Sequence, residues 1–321
     1  MNVDDCMFRP GQVWNDTDGR PIQAHGGGGL FADGMYYWYG ENKGGPTLPN
    51  PLVGFRVDVI GVSCYSSHDL IHWNNEGAVL PACHDDPGHD LHPGKVVEKP
   101  KVIYNETTGK YVMWMHIDHA DYAYARTGVA VSDFPTGPFT YLGSFRPCDS
   151  DSRDMTVFKD SDGQAYLVFS SEWNRVTKIV ALTDDYLAPH GKCVRVFDAK
   201  ERHKGREAPA IFKHNRIYYM VSSGCSGWDP NEAQYATANS MFGPWMVQGN
   251  PCVGPGAETT FHAQSTFVLP VASKPNAFIF MADRWTKEDL GDSRYVWLPI
   301  HIRNTKIEIE WRDAWSLEAF D

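Results

Sequence analysis

Five short apolar segments, each standing behind a tight turn, constrain this chain more than any other feature. They read "GMYYWYG" after "FAD", "KYVMWMH" after "NETTG", "QAYLVFSS" after "KDSDG", "RIYYMVSS" after "KHN" and "NAFIFMA" after "ASKP". Each is rich in β-formers and is entered from a turn carrying Gly, Asn, Asp or Pro, the signature of a hairpin. Ahead of each turn stands a second short segment: "GGGGLF", "KPKVIY", "MTVFK", "APAIFK" and "STFVLP". Four units continue into a third strand, while the fifth runs through "SRYVWLPIHI" to the alternating "KIEIEW". Five antiparallel units of roughly 50 to 75 residues, with almost no helical periodicity, predict an all-β fold. The architecture expected is a five-bladed β-propeller, with residues 1–321 forming a single domain. A closed ring removes the open sheet edges that an irregular sandwich would leave. "KIEIEW" is expected to complete that ring as a late outer strand.

Composition narrows the function classes. The 321 residues are 42% hydrophobic, enough for a large core. The formal net charge of −11 argues against nucleic acid or an anionic membrane as the main partner. No apolar run approaches the roughly 20 residues of a bilayer-spanning helix. The 11 Trp, 15 Tyr and 16 Phe suit core packing and also suit sugar rings, which stack on aromatic faces. The opening "MNVDDCMFRPGQ" is acidic and polar, unlike a signal peptide, and the seven cysteines are scattered without a CxxC pair. A cytoplasmic protein with reduced thiols is expected if the chain is complete, and a secreted one if a leader was removed. Asn15 and Asn105 open glycosylation sequons, a short pattern frequent by chance.

Aligning the five units on the strand ahead of the hairpin brings five polar residues into one register. They are His25, Glu98, Asp154, Glu207 and Gln264, and each leads into an apolar strand. In a propeller this innermost strand lines the central channel, so the five positions converge on the axis. One such residue would be read as a strand cap. Five in matching register point to a site. Acids held together in a dry pocket raise one another's pKa, and a raised carboxylic acid can protonate a leaving oxygen near neutral pH. Glycoside hydrolysis requires that step. Gln264 stands out because an amide does not titrate near neutrality.

These residues lie in "IQAHGGGGLFADGMYYWYGE", "EKPKVIYN", "SRDMTVFKDSDGQAYL", "REAPAIFK", "AQSTFVLP" and "DSRYVWLP", spread in order along nearly the whole chain. The sequence resembles glycoside hydrolase family 43, a family of five-bladed propellers that act with inversion. It is most similar to the exo-β-1,3-galactanase branch, subfamily 24. The resemblance implies that Glu207 is the general acid and that Asp154 tunes and orients it. It implies that the usual first-blade Asp base is absent, His25-Gly26-Gly27 standing there. Gln264 matches a glutamine placed beside the attacking water and proposed to act as its imidic acid tautomer. Glu98 and Glu41 match acids that bind galactose hydroxyls, with Tyr122 on the same wall, and "SGW" places Gly227 and Trp228 in a sugar-binding loop. An amide is a poor base, but its oxygen can accept a hydrogen bond and so orient water. Inversion calls for about 6.5–9.5 Å between acid and base, which opposed blades of a propeller could supply.

The implied activity is release of terminal galactose from β-1,3-galactan or galacto-oligosaccharides. The alternatives are an α-L-arabinofuranosidase or β-galactofuranosidase of a sister subfamily, which shares "AHGGG" and "YYWYGE", and a non-catalytic sugar-binding propeller. No organic cofactor is needed. Some family members hold a calcium ion near the axis, and the sequence identifies no site for one. Trp173 and Trp285 are further candidates for sugar stacking or rim packing. Cys225 borders the "SGW" loop as a bystander, and Glu172 and Glu201 are acids close to the site in sequence. "HDDPGHDLHPG" gathers His84, His89 and His92, a loop that could clamp a metal but reads more simply as a solvated rim of the pocket. His116 and His119 raise the same metal question and get the same answer.

Overall fold

The structure is a computed structural model and describes residues 6–201 and 204–321. Five antiparallel sheets succeed one another along the chain. The first blade pairs β1 (His25–Ala32), β2 (Met35–Glu41), β5 (Gly61–Ser67) and β6 (Asn74–Pro81), in that order. A two-stranded ribbon, β3 (Thr47–Asn50) with β4 (Gly54–Val57), is inserted within it. The second blade runs β7 (Lys95–Asn105), β8 (Lys110–His119), β9 (Arg126–Ser132) and β10 (Thr140–Phe145). The third runs β11 (Met155–Lys159), β12 (Ala165–Ser171), β13 (Val176–Leu182) and β14 (Pro189–Val196). The fourth runs β15 (Glu207–His214), β16 (Ile217–Ser223), β17 (Gln234–Ala238) and β18 (Met246–Gly249). The fifth holds β20 (Gln264–Pro270), β21 (Phe278–Arg284), β22 (Arg294–Arg303) and β23 (Lys306–Glu310), edged by β19 (Cys252–Val253).

The first strands of the blades close a ring. β1 packs on β7, β7 on β11, β11 on β15, β15 on β20, and β20 back on β1. This is the predicted five-bladed propeller. "KIEIEW" forms β23, the fourth strand of the last blade, and β19 lies outside it in parallel. The ribbon β3–β4 was not anticipated, since "TLPNPLVGFRV" carries prolines and no clear alternation. Aromatic packing seals the junction of last blade and first. Phe8 stacks on Trp315 with ring centroids 4.1 Å apart, and Trp14 meets both Trp38 and Trp297. Asn105 is buried and donates to the Asp184 carbonyl, so its sequon is not a surface acceptor.

The innermost strands share one irregularity. The ladder breaks just after His25, after Glu98 and after Glu207, and again one residue beyond Gln264. In the first three cases the next residue is left-handed: Gly26 at φ 59°, Lys99 at 54° and Ala208 at 51°. A bulge of this kind re-aims the side chains beside it. Gly26 suits its place, where a φ of 59° strains other residues and a Cβ would lie 2.2 Å from Glu41 Oε1 and push that carboxylate from its place. Gly26→Ala is therefore expected to destabilise the fold by about 1–3 kcal/mol. A lower urea midpoint at unchanged slope is the checkable result. The third blade lacks the bulge: Asp154 lies one residue ahead of β11, its carbonyl accepting from Ser170 N.

Candidate active site

A pocket of about 690 Å³ collects Glu41, Glu98, Lys99, Asp154, Glu207 and Gln264 at the ring's centre. Tyr122, Arg153, Asn174, Cys225 and Gly227 extend its wall, with Trp173, Trp228 and Trp285 beside them. Four of the five aligned residues therefore meet in one cavity.

Glu207 sits between two amides. Gln264 Nε2 donates to its Oε1 at 2.8 Å, and Asn174 Nδ2 donates to its Oε2 at 2.9 Å. Burial first, and the nearby Asp154 charge second, push the Glu207 carboxyl up to about 8. The Lys99 cation and a hydrogen bond from the Cys225 thiol act in the opposite direction. Asp154 is held by the Ala208 backbone N–H at 3.1 Å and lies 3.5 Å from Lys99 Nζ.

The Gln264 amide is oriented by its neighbours. Lys99 Nζ stands 2.8 Å and Trp285 Nε1 3.3 Å from its Oε1. Both groups can only donate, so the oxygen faces them and the nitrogen faces Glu207. The oxygen is turned away from Glu207. The spacing differs from the expected one: the two residues touch, instead of standing 6.5–9.5 Å apart on opposed blades, because β15 and β20 are neighbours in the ring.

The opposite wall is acidic but neutralised. Glu98 accepts from Tyr122 Oη at 2.7 Å and lies 3.2 Å from His116 Nδ1. His116 Nε2 meets the buried Asp118 at 2.9 Å. Burial alone would raise Glu98, but His116, Lys43 and Tyr122 bring it down to about 2. Burial alone would lower His116, but Asp118 and Glu98 lift it to about 9. Glu41 accepts from Lys99 N at 2.9 Å and pairs with Lys43 Nζ at 2.7 Å.

Among the described residues, Glu98, His116 and Asp154 form the group whose ligand-type atoms come within 4.8 Å of one another. Those atoms are engaged by Tyr122, Asp118 and the backbone, and Lys99 already supplies the positive charge beside Asp154. We identify no metal ligands there.

His25 is a correction. Its side chain is fully buried, not in the pocket. Nδ1 lies 3.0 Å from Asp283, and the ring stacks on Tyr295 at 4.8 Å. Asp283 also accepts from Gly26 N, and that pairing turns the imidazole into the wall. The His84–His92 loop lines no part of the pocket either. His89 and His92 accept backbone N–H groups with their Nδ1 atoms, which fastens the loop to itself. His119 stacks on Tyr124 at 4.3 Å. Glu172 is drawn outward by Arg195, Arg175 and Lys178, and Glu201 pairs with Lys204.

All three candidate tryptophans reach the pocket. Trp228 donates to the Phe55 carbonyl at 3.1 Å and so ties the β3–β4 ribbon over the cavity, where Leu52 and Val53 join its lining. Trp173 caps the Arg153 guanidinium at 4.0 Å. The turn carrying Trp173 and Asn174 is gathered by Asp151, which accepts from Glu172 N and Trp173 N. Lys99, Asn174 and Arg153 were missed in the sequence. For Arg153 and Asn174 the available signal was adjacency: "RD" beside Asp154, and an amide in the turn after Trp173.

The chain is similar to solved structures over nearly its whole length. A structure of the β-1,3-galactosidase BT3683 with galactodeoxynojirimycin is 40% identical, with TM-score 0.88, covering 97% of this chain and 100% of that one. The exo-β-1,3-galactanase of Phanerochaete chrysosporium with β-1,3-galactotriose is 36% identical, with TM-score 0.86, covering 97% and 68%. The β-1,3-galactosidase BT0265 is 38% identical, with TM-score 0.90, and this chain spans 64% of its length. A curated β-xylosidase of Xylanibacter ruminicola is 29% identical over 42% of this chain and about half (52%) of its own length. The profile of glycosyl hydrolases family 43 matches residues 32–265. On this evidence the chain belongs to glycosyl hydrolases family 43.

Proposed function

We propose that this glycoside hydrolase removes terminal galactose from β-1,3-linked galactan or its oligosaccharides, with inversion. One observation carries the reading: Glu207, raised to about 8, is positioned between amides in a pocket shared with Asp154 and faced by Glu98 and Glu41. A carboxyl that keeps its proton at neutral pH is the acid that glycosidic cleavage needs. Glu207 protonates the departing oxygen. Asp154 keeps that proton in place by its charge. The sugar enters between Gln264 and Glu207 and replaces their hydrogen bond, which leaves the amide N–H to hold the attacking water by its oxygen; that water adds to the oxocarbenium-like carbon and loses its proton to bulk solvent after the bond has formed. Glu98, held ionised by His116 and Lys43, and Glu41 accept hydrogen bonds from sugar hydroxyls. The relatives solved with galactose-type ligands support this choice of sugar.

The competing reading is a pentosidase, since curated relatives include a xylosidase/arabinosidase of Bacteroides ovatus at 29% identity. Incubation with β-1,3-galactotriose and with aryl galactoside, arabinofuranoside, xyloside and galactofuranoside separates the two. We expect galactose, appearing first as the α-anomer in proton NMR. Release of arabinose or xylose alone overturns the substrate, and β-galactose as first product overturns inversion.

A further inference from the structure

Lys99 is a buried cation at the centre of a site whose reading otherwise uses only acids and an amide. Its left-handed backbone lets it point into the pocket directly after Glu98. Its backbone N–H is fixed by Glu41, and its carbonyl accepts from Lys101 Nζ at 3.3 Å. The ammonium lies 2.8 Å from Gln264 Oε1, 3.5 Å from Asp154 and 5.8 Å from the Trp285 ring centre. It therefore touches the candidate water-holding residue and one of the two acids that set the proton affinity of Glu207.

Two consequences follow from elementary chemistry. An ammonium cannot accept a hydrogen bond, so the Gln264 amide cannot flip without losing this contact. Its nitrogen end is the one presented to Glu207 and to an entering sugar. A fixed positive charge in a dry pocket also favours ionised carboxylates nearby. We propose that Lys99 is a positioning residue that fixes which end of the Gln264 amide faces the reaction and sets its positive charge against the negative charge of Asp154 beside Glu207. This rests on the reading of the site as a hydrolase. When sugar displaces the bond between Gln264 and Glu207, Lys99 at 2.8 Å, with Trp285 at 3.3 Å, keeps the amide in place.

The charges around this pair come from every blade wall. Asp154, Glu41, Glu98 and Asp283 act on Lys99 to raise its pKa, against a burial effect in the opposite sense. Lys101, below it, is lowered to about 7 by burial and by Lys99 itself. Glu207 additionally faces Cys225, and Arg206 lies within range of its charge. Of the groups that lower the Glu207 pKa, Lys99 acts most strongly and so opposes Asp154.

The test compares Lys99→Met and Lys99→Gln with Lys99→Arg, using pH profiles on β-1,3-galactotriose. Both neutral variants should move the alkaline limb of kcat/KM upward from about 8. They should also lower kcat by on the order of 10²-fold, more than they raise KM. Lys99→Arg, which keeps charge and donor, should restore the limb and most of kcat. Lys99→Gln covers the case in which Lys99→Met does not fold. A neutral variant with an unmoved limb and wild-type kcat overturns the proposal while leaving the hydrolase reading intact. So does an upward-shifted limb that Lys99→Arg does not reverse. If the wild-type protein cleaves no glycoside while binding galactotriose, the hydrolase reading falls and this inference falls with it.

Discussion

Glu207→Gln should reduce kcat on β-1,3-galactotriose by about 10²–10⁴-fold while leaving ground-state binding nearly intact. The substitution keeps the shape of the side chain but removes the transferable proton. Asn174 and Gln264 both donate to this carboxyl, so one of them must lose its acceptor in the variant. Small changes in KM are therefore compatible with the role. The pH profile is the sharper readout. Wild-type kcat/KM should fall as pH rises through about 8, where Glu207 loses its proton, and the variant's residual activity should lack that limb. A linked effect has a definite sign. The folded-state pKa is raised above the unfolded value, so the native state holds a proton that the unfolded chain gives up between the two. Wild-type stability should fall with rising pH from the ordinary carboxyl range up to about 8. Glu207→Gln lacks this loss and should melt higher than wild type at neutral and alkaline pH. Wild-type-like turnover in Glu207→Gln would remove the residue from the mechanism.

The second large effect is expected at His116. Its ring bridges Glu98 on the pocket wall and the buried Asp118 behind it. Asp118 in turn accepts backbone N–H groups from His119, Tyr124 and Ala125, so it shapes the turn that presents Tyr122. His116→Leu leaves two buried carboxylates facing each other without the cation. Breaking a buried pair by removing one partner typically costs about 3–5 kcal/mol. Chemical denaturation should show a loss of that order at pH 6. The folded pKa of His116 is raised to about 9, so its contribution is complete below its unfolded pKa, about 6.5, and disappears as pH rises through 9. Glu98 sets the acid side: its pKa is lowered to about 2, so its contribution is lost as pH falls through that value. The stability difference between wild type and His116→Leu should therefore shrink toward pH 9. A difference that is small and flat across pH would mean the ring is only packing.

The ring architecture was legible because hairpin chemistry and β-rich segments recur five times, and each repeat carried its polar residue at the same place. Glu98, Asp154, Glu207 and Gln264 were found by that register alone. The remaining features broke the rule on which the register rests. Side chains alternate faces along a regular strand, so Glu98 and Lys99 should point oppositely. The bulge and the left-handed Lys99 send both into the pocket, and no alternation pattern announces that. His25 failed the other way. Its position in the register was right, but Asp283, far along the chain, captured its ring. Asn174 was hidden because it lies on a turn whose shape is dictated by Asp151 rather than by its own neighbours.

The repeated bulge also bears on how such a site changes its chemistry. Gly26, Lys99 and Ala208 bend three blades in the same way, although the residues before them are a histidine and two glutamates. The mount is thus built by the main chain, while the group it carries is exchangeable. The tips nevertheless act together, since Lys99 meets Gln264 and Gln264 meets Glu207 across blade boundaries. Here a histidine stands at the shared register position of the first blade and an amide at that of the fifth, while acids stand there in the other three.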